Sequence, residues 1–142
     1  MTALLDVNVL LALLDADHLH HNRAKEWMLS QSNPAWASCP LTQNSFVRII
    51  SQPAYPASVS VQNATDLLLE ATRSAHHTFW PDDLSILDDA VFDHSRIHGP
   101  KQITDAYLLA LAVKNDGRLV AFDRSIALSS VRRAQPINIE IL

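Results

Sequence analysis

Apolar and polar positions fall in blocks along this chain, and the blocks switch period in a regular order. Residues 3–6 form a short apolar run that ends on Asp6, which predicts a strand delivering that acid at its end. Val7 to Leu14 is dense in apolar residues and predicts a mostly buried helix, broken by the polar stretch Asp15 to His21. A second helix is predicted from His21 to Gln31, with Ala24, Trp27 and Met28 on one side. Asn33-Pro34 marks a turn and Ala35 to Ser38 a short inner strand. Pro40 fits the first position of a helix that carries Phe46, Val47, Ile49 and Ile50. Beyond a loop with Pro53 and Pro56, residues Val61, Ala64, Leu68, Ala71 and Ala75 recur at spacings of three and four, an amphipathic helix.

The last third is less regular. His77 to Leu87 predicts short strand segments separated by Pro81-Asp82-Asp83, and Asp88 to Ile97 a helix that His98-Gly99-Pro100 breaks. Ile103 to Asn115 predicts a nearly all-apolar helix, opened by Thr104-Asp105 and closed at Gly117. Arg118 to Phe122 predicts a strand with Asp123 at its end, and Ile137 to Leu142 a final strand.

Short strands alternating with helices imply an α/β fold, a mainly parallel central sheet flanked by helices on both faces. No repeat or composition shift divides the chain, so residues 1–142 are expected to form one domain. In open sheets of this kind function collects beyond the carboxyl ends of the strands. That places Asp6 and Asp123 on one edge, and the helix from Thr104 reaches the same edge if it crosses back over the sheet.

Composition narrows the chemistry. Apolar residues make up 48% and charged ones 18%, the balance of a globular protein. No apolar run approaches a bilayer span, so no membrane helix is expected. The first residues lack a basic region, which makes the cytoplasm the expected location. A single cysteine, Cys39, excludes an internal disulfide and any multi-cysteine zinc site. The formal net charge of −4 argues against bulk positive charge holding nucleic acid, but leaves local contact through a divalent metal open. Two isolated glycines cannot build a phosphate-cradling loop, and no Gly-x-Ser-x-Gly elbow occurs. What remains is chemistry done by carboxylates.

Phosphodiester hydrolysis needs a water made nucleophilic and a charged leaving oxygen stabilised, and magnesium-like ions on oxygen ligands do both. Aspartates brought together repel, by about 4 kcal/mol for a pair at roughly 4 Å and an effective dielectric near 20. A bound cation reverses that penalty, so convergence of Asp6, Asp105 and Asp123 points to metal. Each also has an ordinary explanation. Asp6 can cap the helix from Val7, Asp123 one from Arg124, and Asp105 suits the first turn of its helix. The His18, His20 and His21 group reads as a solvated link rather than a zinc site. His76 and His77 read as the favoured end of a helix, Asp82-Asp83 as a turn, and Trp27, Trp36 and Trp80 as core or dimer-interface residues. Among the basic residues, Arg48 and Arg124 are the candidates for contact with nucleic-acid phosphates, each also readable as part of a solvated helix face.

Four segments in order resemble the motifs of PIN domains. They are Leu4-Leu5-Asp6-Val7-Asn8-Val9-Leu10-Leu11, Leu41-Thr42-Gln43-Asn44-Ser45-Phe46-Val47-Arg48-Ile49, Ile103-Thr104-Asp105-Ala106-Tyr107-Leu108-Leu109-Ala110 and Leu119-Val120-Ala121-Phe122-Asp123. Their order and spacing are similar to the bacterial VapC toxins over nearly the whole chain. The resemblance implies a ribonuclease toxin that cleaves structured RNA, transfer or ribosomal, with Mg²⁺ or Mn²⁺. It also implies a VapB-type antitoxin and a homodimer. Asp6 and Asp105 would be the main metal ligands, with Asp123 completing the pocket and Asn8 and Thr104 orienting ligands or water. The departure is Gln43, where the family usually carries Glu: an amide oxygen can still ligate or orient, but brings no charge. A weakened or non-catalytic RNA-binding PIN domain is therefore the alternative. A receiver domain lacks its lysine after the strand from Arg118, and a phosphatase built on Asp6-x-Asn8 lacks its second acid.

Overall fold

The computed structural model describes residues 1–142. Its strands are β1 (Ala3–Leu5), β2 (Trp36–Ser38), β3 (His77–Phe79), β4 (Arg118–Ala121) and β5 (Ile139–Ile141). Its helices are α1 (Val7–Leu14), α2 (His21–Ser30), α3 (Pro40–Ile50), α4 (Val61–Thr72) and α5 (Ile103–Lys114). All neighbouring strands pair in parallel, in the order β3-β2-β1-β4-β5. The chain begins in the middle, works outward to β3, then crosses through α5 to the other side of β1.

Side-chain alternation splits the core in two. Leu4, Ala37 and Leu119 face α5, whose Ala106, Leu108, Leu109, Leu111 and Ala112 are buried against them. Ala3, Leu5, Trp36 and Val120 face the other way, onto Val9, Leu10, Phe46, Ile50 and Leu68. A sheet covered on both faces explains why these strands read as continuous apolar runs. It also explains why α5 is apolar nearly all round. Trp36 and Trp80 belong to the core, and the Trp27 indole donates to Glu140 Oε1 at 2.8 Å.

Four expectations change. Asp88 to Ile97 is not a helix: it holds turns, a single antiparallel bridge between Phe92 and Val131, and a 3₁₀ turn at His94–Arg96. Its aspartates take the amides a helix would need, Asp88 from Ala90 at 2.9 Å and Asp93 from Ser95 at 3.2 Å. The helix over Val61 stops at Thr72, before Ala75, so His77 opens β3 rather than ending a helix. Pro136 starts a 3₁₀ turn over Pro136–Asn138, which confines the final strand to Ile139–Ile141. Finally, the left-handed residue after α5 is Asp116, at φ 53°, and not Gly117. Gly117 is needed for space: a Cβ there would stand 2.6 Å from the Thr2 carbonyl oxygen and 2.7 Å from the Trp80 ring.

Candidate active site

The break in strand order lies between β1 and β4, and a crevice opens beyond the carboxyl ends of strands at such a point. Asp6 follows β1 directly and Asp123 lies two residues beyond β4. The Asp6 amide donates to the Val120 carbonyl at 3.0 Å, and its own carbonyl accepts from the Val9 and Leu10 amides, both at 3.0 Å. Its backbone is thus pinned between the sheet and α1. Asp6 occupies the N-cap position of α1, yet its carboxylate makes no capping hydrogen bond. Because α5 returns towards the start of β4, its first turn sits at the same edge and brings Asp105 there.

Asp6 and Asp105 both carry the mark of a neighbouring acid. Burial pushes the Asp6 carboxyl up from the usual range, against the pull of the Val7 and Asn8 amides, and the charge of Asp123 adds to the rise. Asp105 is raised to about 6, first by burial and then by the charges of Asp6 and Asp123. Asp123 is exposed and is held below its ordinary value by the Ser125 amide, which donates to Oδ1 at 2.8 Å. It therefore fastens a turn, and no helix follows at Arg124. None of the three carboxylates forms an ion pair. Coupled acids without a cation are what a divalent ion would relieve.

The three side chains nevertheless do not close to the spacing of a direct three-ligand cage. The donor set still suits Mg²⁺, which keeps several waters and is held by one or two carboxylates. Asp123 acts on both Asp6 and Asp105, and Asp6 on Asp105, an excess of negative charge that a hydrated divalent ion would offset. Asn8 and Thr104 are exposed on the first turns of α1 and α5, and neither bonds to an acid.

Gln43 forms no hydrogen bond to any of the three aspartates. Its amide nitrogen donates to the Ser38 hydroxyl at 3.0 Å, and Ser38 in turn stands 2.8 Å from His77 Nε2. Gln43 and Arg48 line a groove of about 770 Å³ between α3 and α4 that contains none of the three aspartates. Asp82 is more than a turn residue, because its carboxylate accepts the Leu41 amide at 2.9 Å and so caps α3.

The basic candidates also sort themselves. Arg118 pairs with Glu140 at 2.9 Å, Lys114 with Asp83 at 2.9 Å, and Arg132 donates to the Asp89 carbonyl at 2.6 Å. Arg23, Lys25, Arg48, Lys101, Arg124 and Arg133 have no carboxylate partner. One cluster escaped the sequence reading: the His20 ring lies 5.1 Å from Phe122, with the Arg23 guanidinium 5.7 Å from the same ring. Its only sequence signal was the histidine-rich link between α1 and α2.

The PIN-domain family model matches residues 3–132. Ribonuclease VapC44 of Mycobacterium tuberculosis is 62% identical over 131 residues, covering 92% of each chain. The chain belongs to the VapC family of PIN-domain proteins. A second relative, Ribonuclease VapC39 of Mycobacterium tuberculosis, is 40% identical over 92% of this chain and 94% of its own. Among solved structures, the VapC20 toxin of Mycobacterium tuberculosis, described as cleaving the sarcin-ricin loop, superposes with a TM-score of 0.65 at 14% identity. The match covers 94% of this chain and 99% of that one. VapBC2 of Rickettsia felis, solved on a DNA fragment from its promoter, gives 0.62 at 10% identity over 100% and 99%. At those identities the likeness speaks for the VapC fold. No helix of the chain is long and apolar enough to cross a membrane.

Proposed function

We propose that this VapC-family chain is a divalent-metal-dependent endoribonuclease, the toxin half of a toxin–antitoxin pair, acting on structured RNA in the cytoplasm. The observation that carries the reading is the placement of Asp6, Asp105 and Asp123 at the switch point of the sheet, where Asp123 acts on the other two and Asp6 on Asp105. Ribonuclease names among relatives at 62% and 40% identity support the activity. The VapBC2 neighbour supports a VapB-type partner.

Asp6 and Asp105 would hold Mg²⁺ or Mn²⁺, with Asp123 completing the acidic rim. When bound, the ion supplies Lewis-acid activation of water and neutralises charge on the phosphate. The chain's own residues fix the rest. The Asp6 backbone is held by bonds to Val120, Val9 and Leu10, which fixes where its side chain leaves the sheet. Asp105, raised to about 6 by burial and by the neighbouring acids, would be held ionised once the ion is bound. Hydrolysis forms one bond from the water oxygen to phosphorus and breaks the bond to the leaving sugar oxygen, which takes up a proton.

The test is cleavage of total RNA by the purified chain over a metal titration, comparing the parent with Asp6→Asn and Gln43→Glu. The parent is expected to cleave only with metal and to be silenced by chelator, and Asp6→Asn to lose on the order of 10²-fold or more. Undiminished cleavage by Asp6→Asn would remove the reading. The Gln43 amide is engaged by Ser38 and hydrogen-bonds to none of the aspartates, so Gln43→Glu is expected to alter the rate by less than about threefold, under 1 kcal/mol of barrier. A parent that is silent until Gln43→Glu restores cleavage would instead favour the non-catalytic alternative.

A further inference from the structure

Gln43, Ser38 and His77 form a chain of hydrogen bonds whose direction is decided by the chemistry of its two ends. Ser38 closes β2, Gln43 stands in α3 and His77 opens β3. Gln43 Nε2 donates to Ser38 Oγ at 3.0 Å, and the same Oγ lies 2.8 Å from His77 Nε2. Ser38 is wholly buried, so water offers its hydroxyl no third partner. An amide nitrogen only donates, so Oγ accepts from Gln43 and spends its own proton on His77. His77 Nε2 is then the bare nitrogen of a neutral ring. The other end agrees. The Thr72 carbonyl, at the end of α4, acts on the same ring and can only accept, so it claims the single ring proton.

Nothing charged competes for that proton. Trp36 of β2 packs on the His77 ring, with centroids 4.5 Å apart and planes tilted by 58°. Burial lowers the proton affinity of the ring and outweighs the Thr72 carbonyl, which raises it. No charged or titratable side chain of β2, α3 or α4 acts on the ring, and neither does the exposed His76 beside it. Burial thus favours the neutral form that the hydrogen bonds require. Gln43 Oε1 takes no hydrogen bond within the chain, yet it is not buried, so it meets solvent. Gln43 and Thr72, the two ends of the chain of bonds, both line the groove between α3 and α4.

We propose that Ser38 and His77 are positioning residues that set the polarity of Gln43. With His77 neutral, the Gln43 nitrogen is turned inward and its oxygen is left to the groove as an acceptor. When His77 takes up a proton, Nε2–H donates to Ser38, the Ser38 hydroxyl turns to Gln43, and the amide flips to receive it. The groove then meets an NH₂ donor in place of a carbonyl acceptor. Every group keeps a partner in both states, so one proton and two side-chain rotations separate them. Gln43→Glu fixes the second direction, because a carboxylate has no hydrogen to give Ser38 and stabilises a cationic ring behind it. The residue at this place in the second motif therefore governs the charge of a histidine outside the motif. The inference goes beyond the nuclease reading and stands apart from it, since it needs neither metal nor RNA.

The test is nitrogen NMR of the isotope-labelled full chain, following the His77 ring and the Gln43 side-chain amide from about pH 5 to about pH 8. The parent is expected to carry the Nδ1–H form of His77 at neutral pH, with the Gln43 amide signal moving at the His77 midpoint. Gln43→Glu is expected to raise that midpoint by about one unit, a tenfold gain in proton affinity. Ser38→Ala, which removes the connecting hydroxyl, should cut this rise by about half or more. A His77 midpoint unmoved by Gln43→Glu, or an Nε2–H ring in the neutral parent, overturns the relay. A Gln43 amide signal that stays flat while His77 titrates overturns the switch of polarity. A rise that survives Ser38→Ala in full overturns the part given to Ser38. If Ser38→Ala fails to fold, the parent and Gln43→Glu still decide.

Discussion

Asp105 shows how a single side chain reports its surroundings. In the first turn of α5 the helix dipole favours its charge, yet burial and two neighbouring acids raise its carboxyl to about 6. A raised value means that the folded chain holds a proton the unfolded chain has released. In metal-free buffer this contribution to stability is complete below the unfolded value near 3.8 and is lost as pH rises through about 6. Mg²⁺ should reverse the loss, so its effect on Tm is expected to be small at about pH 5 and clear at about pH 7. Thermal melts on that grid, with and without Mg²⁺, check the prediction; an increment unchanged across it would show that no titrating acid takes part. Gly117 gives a second case at this scale. Its replacement by Ala drives a methyl into Thr2 and Trp80, and a loss of about 1–3 kcal/mol in chemical denaturation is expected.

Elements set by local pattern were legible in the sequence, and those set by distant partners were not. The bounds of α1 and α3 follow from apolar spacing and from Pro40 at a first helical position. The segment over Asp88 to Ile97 carries a helix-like pattern, but Asp88 and Asp93 spend their oxygens on nearby amides, and Phe92 is drawn fully into the α5-side core. Asp6 and Asp123 could be placed at one edge because strand ends are legible; the arrival of Asp105 depended on a crossover that no local spacing encodes. The position of Gln43 was hidden for the same reason, since its partner Ser38 belongs to another element. Part of the cap on α3 is likewise borrowed: beside the local Cys39–Thr42 pair, Asp82 takes the Leu41 amide from beyond β3, across a long stretch of chain. Asp82→Ala is expected to cost about 0.5–2 kcal/mol by urea denaturation, the range for a lost helix cap. No change in midpoint would mean that Leu41 finds water as good a partner.

For the molecule as a whole, the resemblance to VapC toxins implies a homodimer, and the α3–α4 groove is the surface on which we expect it. Val61 and Leu69 are exposed there, at 62% and 50%, beside Val47 and Leu68. Leu69→Glu should shift sedimentation velocity from dimer to monomer while leaving RNA cleavage per chain unchanged, and a variant that still sediments as a dimer would place the interface elsewhere. The strand order carries one more consequence. β1 is made first but is completed by β4, near the end of the chain, and the three acids are distributed over almost the same span. A nascent chain emerging from the ribosome therefore carries Asp6 long before it can be joined by its companions. The acidic site thus stays incomplete until translation is nearly finished: fragments released before Arg118 should be degraded rapidly by protease and should leave RNA intact.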